Sequence, residues 1–300
     1  MYIIITGATG TGKSPVAVEL ARMINGGVIS ADSMQVYKGM DIGTYKITKE
    51  EMKGIEHHLL DIIEPGERFS AVEFEELAEA AIGSLKSGGK FPIVAGGTGL
   101  YINALTRGIL SAKEPSAEQK ALFRVELEEN GLEALVNLLN TKDPGAAALI
   151  DINNSRRVLR ALELVTANNM SLSDLRKTTE GNRYKDAYKL FVLETGRENM
   201  YSRLDKRVDE MIGKGLVAEV RALAGMGFSL TSMQAIGYKE TVEFLKGNIT
   251  DIQMAGSIKQ ATRNYAKRQV TWFKKYDEAV RINMDGKTAV EAAKEIWKRV

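Results

Sequence analysis

Residues 7–14 run Gly7-Ala8-Thr9-Gly10-Thr11-Gly12-Lys13-Ser14 and fit the pattern G-x-x-x-x-G-K-[ST]. Glycines let a backbone curl until successive N–H groups point inward, and a helix that starts there adds its positive end. Lys13 supplies a mobile ammonium for an outer phosphate, and the Ser14 hydroxyl can hold a magnesium ion that bridges phosphates. Pro15 falls in the first helical turn, where its missing N–H costs little. The pattern points to a polyphosphate and leaves the rest of the ligand and the reaction open. A guanine-reading N-K-x-D run is absent, which weakens a GTPase reading. The apolar run Phe91–Ala95 leads into Gly96-Gly97-Thr98-Gly99 and not into the acidic residue that usually helps hold magnesium in phosphoryl-transferring relatives, which weakens an ordinary NTPase reading.

Two other segments stand where chemistry is expected. Asp32-Ser33-Met34-Gln35-Val36-Tyr37 follows the apolar run Val28–Ala31, and Gly96-Gly97-Thr98-Gly99-Leu100-Tyr101 follows Phe91–Ala95. Parallel sheets build their sites beyond the C-terminal ends of strands. Asp32 there can cap a helix or accept a proton, and Gln35 can be a surface amide or read a base edge. His57 and His58 are adjacent, so on a strand they point to opposite faces; with no cysteine and no third histidine they read as structural.

The elements that must position these residues alternate. Tyr2–Thr6, Val28–Ala31, His58–Ile63, Phe91–Ala95, Ala187–Glu194 and Ala279–Ile282 read as strands. Pro15–Ile24, Ser70–Ser87 with a cap at Ser70, a stretch from about Leu100, and Ser257–Lys275 read as helices. Residues 112–180 show helical periodicity and no convincing strand. The expected fold class is α/β: a P-loop parallel sheet core flanked by helices (1–111 and 181–300, the C-terminal part mostly helical) with an all-helical insertion domain at 112–180. The 300 residues suit a core with a second lobe, and no apolar run reaches the roughly 18 residues of a membrane helix. A strand at the very start with no basic leader suggests a cytoplasmic protein, and the absence of cysteine removes disulfides, thiolate zinc sites and cysteine nucleophiles. Net charge is +2, yet residues 201–300 hold 18 Lys and Arg against 12 Asp and Glu. A basic C-terminal third is compatible with a polyanionic partner or with a solvated helical surface.

Taken in order, the motifs resemble the tRNA dimethylallyltransferases nearly end to end. Besides the phosphate loop, the Asp32 segment and the Gly96 segment, His57-His58-Leu59-Leu60-Asp61 resembles that family's H-H-L-x-D, and Arg156-Arg157-Val158-Leu159-Arg160-Ala161-Leu162-Glu163 its R-V-x-R-A-L-E helix. Arg203-Leu204-Asp205-Lys206-Arg207-Val208-Asp209 is similar to R-x-x-x-R-V-D, Ile236-Gly237-Tyr238-Lys239-Glu240 to I-G-Y-x-E, and Lys267-Arg268-Gln269-Val270-Thr271-Trp272-Phe273 to K-R-Q-x-T-W-F. The resemblance implies transfer of a five-carbon prenyl group from dimethylallyl diphosphate to N6 of the adenine 3′-adjacent to a tRNA anticodon, with magnesium as cofactor. It makes Asp32 the general base and gives the phosphate loop, Gly7 to Ser14, a diphosphate leaving group to hold. Lys13 and an arginine, Arg207 before Arg203, would stabilise that leaving group, and Thr98 would hold the adenine or a phosphate oxygen.

On this reading the anticodon stem-loop of tRNA touches Asp32, Ser33, Met34, Gln35 and Thr98 near the reacting base. It touches Lys120, Asn153, Asn154, Ser155, Arg156 and Arg157 in the insertion, which would form a second wall, and Lys267 and Arg268 near the C-terminus. Arg156 and Arg160 share a helix face, as do Lys259, Arg263 and Lys267, and these bases are expected to meet RNA. Among the interleaved aromatics, Trp272 and Phe273 are expected to serve the core before base stacking. Lys120 stands where the family pattern has an arginine, so the charge is kept and the bidentate fork is lost. The chain, free of cysteine, resembles the short bacterial form without a zinc finger and is expected to be a monomer. The competing readings are an enzyme that prenylates free AMP or ATP, a small-molecule kinase on the same loop, and a non-catalytic RNA-binding protein.

Overall fold

β1 (Tyr2–Gly7) is buried at every position, as a central strand covered on both faces requires. It lies between β4 (Phe91–Ala95), where Ile4 faces Val94, and β5 (Tyr188–Glu194), where Ile4 faces Leu190. β2 (Gly26–Ser30) and β3 (His57–His58) extend the sheet on one side and β6 (Val280–Asn283) on the other. The order is β3-β2-β4-β1-β5-β6, with every pairing parallel. The computed structural model describes residues 1–109, 112–179, 187–225 and 227–300. Its helices are α1 (Lys13–Ile24), α2 (Lys49–Met52), α3 (Ala71–Ser87), α4 (Gly99–Arg107), α5 (Ala117–Lys142), α6 (Ser155–Asn168), α7 (Leu172–Thr179), α8 (Arg197–Gly213), α9 (Leu216–Ala224), α10 (Tyr238–Leu245), α11 (Asp251–Phe273) and α12 (Ala289–Trp297). The α/β class expected from the alternating pattern is the class found.

The chain forms two compact units, one of Met1–Thr106 with Tyr184–Val300 and one of Arg107–Arg183. The boundaries expected at Ser111 and Glu180 lie outside the described residues. In the first unit, Val16 and Leu20 of α1 and Ile296 of α12 pack with Ile3 and Ile5 of β1. Full burial of one such side chain stabilises by about 1.5–3 kcal/mol. Ser70 caps α3 as expected: its hydroxyl accepts the Glu73 N–H at 3.2 Å, and the Glu73 carboxylate accepts the Ser70 N–H at 2.7 Å. Thr250 and Gln253 repeat this box at the start of α11, which begins six residues before the expected Ser257.

The second unit has its own core, in which Leu135 and Leu139 of α5 meet Val158 and Leu162 of α6. α5 is broken at Gly131 (φ 78°, ψ −178°), a conformation open to glycine. The Asp143 carboxylate accepts the Leu172 N–H at 2.7 Å and so ties the start of α7 to the end of α5.

The strand expected over His58–Ile63 is shorter than that. The ladder with β2 stops after His58 because Leu59 (φ 60°) and Asp61 (φ 53°) take left-handed conformations that no extended run accommodates, and Ile63 forms only an isolated parallel bridge with Tyr37. His57 Nδ1 lies 2.9 Å from the Ile55 carbonyl oxygen, and His58 Nε2 lies 2.9 Å from the Glu56 carboxylate.

Candidate active site

The turn between β1 and α1 is shaped by Gly10 (φ 82°) and Gly12 (φ 85°), both left-handed. Inside it, the Thr11 hydroxyl and the Lys13 ammonium each donate to the Ala8 carbonyl at 2.8 Å. Two loop amides depart from the expectation that successive N–H groups face a ligand, one of them that of Thr11, which donates to the Ala8 carbonyl at 3.4 Å. The Thr9 N–H donates to Gln269 Oε1 of α11 at 2.8 Å, while Gln269 Nε2 donates to the Gly97 carbonyl at 2.7 Å. An amide side chain offers one acceptor and two donors, so the buried Gln269 ties the phosphate loop to the loop after β4. Gln269 belongs to the K-R-Q-x-T-W-F stretch, and the sequence alone assigns it no role. The signal was its helical spacing from Tyr265, which also lines the cavity.

The loop faces a cavity of about 530 Å³ in the first unit. Its wall includes Thr9, Gly10, Gly12, Lys13 and Ser14 of the turn, Asp32 and Gln35 beyond β2, Gly96 and Gly97 beyond β4, and Arg203, Arg207 and Glu210 of α8. Arg207 is held on three sides. Its Nη1 donates to the Thr9 hydroxyl at 3.0 Å, its Nη2 donates to the Thr44 carbonyl at 3.2 Å, and its guanidinium lies 4.0 Å from the centre of the Tyr45 ring. Arg203 is exposed and stands near Asp285.

Asp32 is central to the electrostatics. One carboxylate oxygen accepts the Met34 N–H at 2.9 Å and closes a turn, and since no helix begins there Asp32 is not the helix cap that its residue type allows. Burial pulls the Lys13 ammonium down to about 8; the Asp32 charge opposes this, and Arg207 adds to it. Burial likewise pulls the Arg207 guanidinium down to about 10, against which Asp32 again favours the charged form. The carboxylate is therefore near enough to interact with both cations.

Thr98 positions this segment. Its Oγ1 accepts the Ser33 N–H at 2.9 Å and lies 3.3 Å from the Ser33 hydroxyl, stitching the Asp32 loop to the loop after β4. Gln35 is engaged through Ser30 Oγ, which donates to its Oε1 at 3.3 Å, and through its Nε2, which donates to the Thr44 carbonyl at 3.4 Å. The two loops meet closely: a β-carbon on Gly96 would lie 2.1 Å from the Ala31 carbonyl oxygen. Gly96→Ala is therefore expected to force the strand ends apart, costing about 1–3 kcal/mol, read as a lower denaturant midpoint with reduced activity in the folded fraction.

Magnesium takes one or two protein ligands beside substrate phosphates and retains several waters. Ser14 is exposed at the start of α1 on the same cavity as Asp32, which fits that modest demand. No group of three acidic or histidine side chains suited to a metal occurs among the described residues.

The residues expected at an RNA surface divide. Within the second unit, Lys120 Nζ lies 3.1 Å from Glu114, and Arg160 also pairs with Glu114. Asn154 caps α6 by accepting the Arg157 N–H at 3.3 Å, Asn153 donates its N–H to Asp151 at 3.1 Å, and Ser155 opens the helix that exposes Arg156 and Arg157. Within the first unit, the basic face expected on α11 is largely neutralised by α8. Lys259 lies 2.7 Å from Asp209, and Arg263 lies 2.7 Å from Asp205. Lys267 and Arg268 are exposed further along α11. Phe273 is buried, and the Trp272 indole packs so tightly on Gly99 that a β-carbon there would lie 2.4 Å from Nε1, so both aromatics serve packing.

A parallel sheet with flanking helices, carrying a phosphate-loop turn at the edge of a charged cavity, defines a P-loop-type α/β enzyme. A family model described as IPP transferase matches residues 35–276. A tRNA dimethylallyltransferase of Caldanaerobacter subterraneus subsp. tengcongensis is 46% identical over 281 residues, 92% of this chain and 89% of that protein. One from Acetivibrio thermocellus is 43% identical over 286 residues, 94% of this chain and 91% of that one. Among solved structures, a tRNA delta(2)-isopentenylpyrophosphate transferase of Staphylococcus epidermidis matches with a TM-score of 0.71 at 42% identity, covering 99% of this chain and 98% of that chain. A eukaryotic dimethylallyltransferase described as acting on tRNA matches with a TM-score of 0.81 at 29% identity, covering 94% of this chain and 73% of that chain. The chain belongs to the IPP transferase family, that of the tRNA dimethylallyltransferases.

Proposed function

We propose that this chain transfers the dimethylallyl group of dimethylallyl diphosphate to N6 of the adenine 3′-adjacent to the anticodon of tRNA. The observation that carries this reading is one cavity that unites two cations suited to a departing diphosphate, Lys13 and Arg207, with a carboxylate suited to the amine proton, Asp32. The bond from N6 to the prenyl carbon forms as the bond from that carbon to the diphosphate oxygen breaks. The electron pair leaves with the diphosphate, and the N6 proton passes to Asp32. Lys13, Arg207 and amides of the turn stabilise the negative charge that grows on the leaving group. The Ser14 hydroxyl would hold magnesium, which would supply further charge neutralisation when bound.

The adenine must leave its stack to enter such a site, as bases in loops can. Ser33, Met34, Gln35 and Thr98 would surround it, and Lys120, Asn153 to Arg157, Lys267 and Arg268 would contact the anticodon stem-loop. The names of the bacterial relatives and of the eukaryotic structure support tRNA as the acceptor. Among the described residues no helix is long and apolar enough to cross a membrane.

The test is incubation of the protein with magnesium, labelled dimethylallyl diphosphate and unmodified tRNA that has adenine after the anticodon, beside a tube with AMP in place of tRNA. Label at that adenine is expected. Label in AMP alone would make the enzyme a nucleotide prenyltransferase, and label in neither would sink the reading.

A further inference from the structure

The segment after Tyr37 has no regular structure until α2, yet one side chain holds it firmly. The Asp41 and Ile42 N–H groups donate to Glu219 Oε2 at 3.0 and 2.7 Å, and the Gly43 N–H donates to Glu219 Oε1 at 3.0 Å. The Tyr238 hydroxyl donates to the same Oε1 at 2.5 Å. Three successive amides and a phenol on one carboxylate make a set of charge-assisted hydrogen bonds, the strong kind. Gly43 sits so close to the Tyr238 ring that a β-carbon would lie 2.3 Å from it, so the loop backbone is seated on the ring as well. The next two residues are those that hold Arg207: the Thr44 carbonyl accepts from it at 3.2 Å, and the Tyr45 ring stacks on it at 4.0 Å.

We propose that Glu219 is a positioning residue for the transfer: from behind the cavity wall it fixes the 41–45 loop, and the loop fixes the Arg207 guanidinium on the leaving diphosphate. The proposal rests on the role given to Arg207 above. α9 thereby takes part in the reaction without touching a substrate. A guanidinium misplaced by about 1 Å can forfeit on the order of 100-fold in rate, so the expected loss in Glu219→Ala is about 10–100-fold in kcat.

The experiment is a double-mutant cycle of Glu219→Ala with Arg207→Ala, read twice: as kcat and KM for transfer to tRNA, and as the Kd of inorganic diphosphate with magnesium. In the Arg207→Ala background, adding Glu219→Ala is expected to cost less than about threefold in either readout, because the two act through one contact. KM for tRNA should move less than kcat, since the loop reaches the adenine side through the long 3.4 Å bond from Gln35 Nε2 to the Thr44 carbonyl, while it holds Arg207 through both that carbonyl and the Tyr45 ring. Equal fold-losses in both backgrounds, or full kcat in Glu219→Ala, would overturn the proposal. Should Glu219→Ala fail to fold by thermal melting, Tyr238→Phe carries the same cycle. It removes one of the four bonds and should give a smaller loss that again vanishes without Arg207; a folded Tyr238→Phe with unchanged kcat and diphosphate Kd counts against the clamp. A wild-type protein that transfers no label to tRNA defeats the functional reading, whereas the diphosphate cycle still decides on Glu219.

Discussion

Asp32→Asn is expected to lower kcat for transfer to tRNA by about 10²–10⁴-fold, the range that one general base supplies, while leaving the affinity for tRNA nearly unchanged. The substitution is well matched to the question. Asparagine keeps an oxygen that can accept the Met34 N–H, now accepted by Asp32 at 2.9 Å, so the turn after β2 retains its shape. Thr98, which anchors the neighbouring Ser33 backbone, is untouched. What disappears is the ability to take the N6 proton and the negative charge beside two cations. The second loss has its own signature. The Asp32 charge favours protonated Lys13 and Arg207 against burial, so its removal should shift any alkaline decline to lower pH. Single-turnover label transfer across pH, beside filter binding of tRNA, separates the two effects. If transfer recovers at low pH, the carboxylate serves chiefly to keep the cations charged. If tRNA binding fails while chemistry on bound tRNA is normal, the base assignment falls.

How much of this was legible beforehand depends on the range over which the physics acts. The phosphate loop is a local object: glycines at Gly10 and Gly12, a lysine, a hydroxyl and a helix start within eight residues dictate its shape. The Asp32 and Gly96 segments were placed correctly because both follow apolar runs, and parallel strands end on one side of a sheet. Contacts between distant elements were hidden. Lys259 and Arg263 look like a basic stripe when α11 is read alone, and only packing of α11 on α8 brings Asp209 and Asp205 beside them. The same applies to Thr9 with Gln269, and to Glu219 with the amides of Asp41 to Gly43, since no periodicity links residues so far apart in sequence. His58–Ile63 failed for a further reason. Its residue types suit a strand, but Leu59 and Asp61 adopt positive φ, and Asp61 holds Lys46 Nζ at 2.5 Å. Tertiary bonding overrode a local preference there.

Lys13→Met is expected to lower kcat/KM for dimethylallyl diphosphate by about 10²–10³-fold, in line with removal of one preorganised donor to a developing charge. The wild-type pH profile should identify the same group. Burial draws the Lys13 ammonium from its ordinary 10.5 to about 8. Because kcat/KM reports the free enzyme, it should hold steady below that value and fall as pH rises through about 8. A bound diphosphate favours the charged form, so the fall in kcat should lie at higher pH. Arg207, drawn only to about 10, remains charged across the limb. Stability runs the other way. A lysine whose folded pKa lies below its unfolded one is bound to fewer protons when folded, so the free energy of unfolding rises with pH between about 8 and 10.5. At neutral pH the buried ammonium is a cost to the fold, and methionine, of similar length and uncharged, removes it. Lys13→Met should therefore unfold at no lower a temperature than wild type while losing activity and the alkaline limb together. A limb that survives in that variant would belong to another group, and a marked drop in Tm would mean that the bond from Lys13 to the Ala8 carbonyl matters more to the fold than the charge costs it. The opposition of the two trends locates the site: charge held at a loss to stability is charge kept for a ligand.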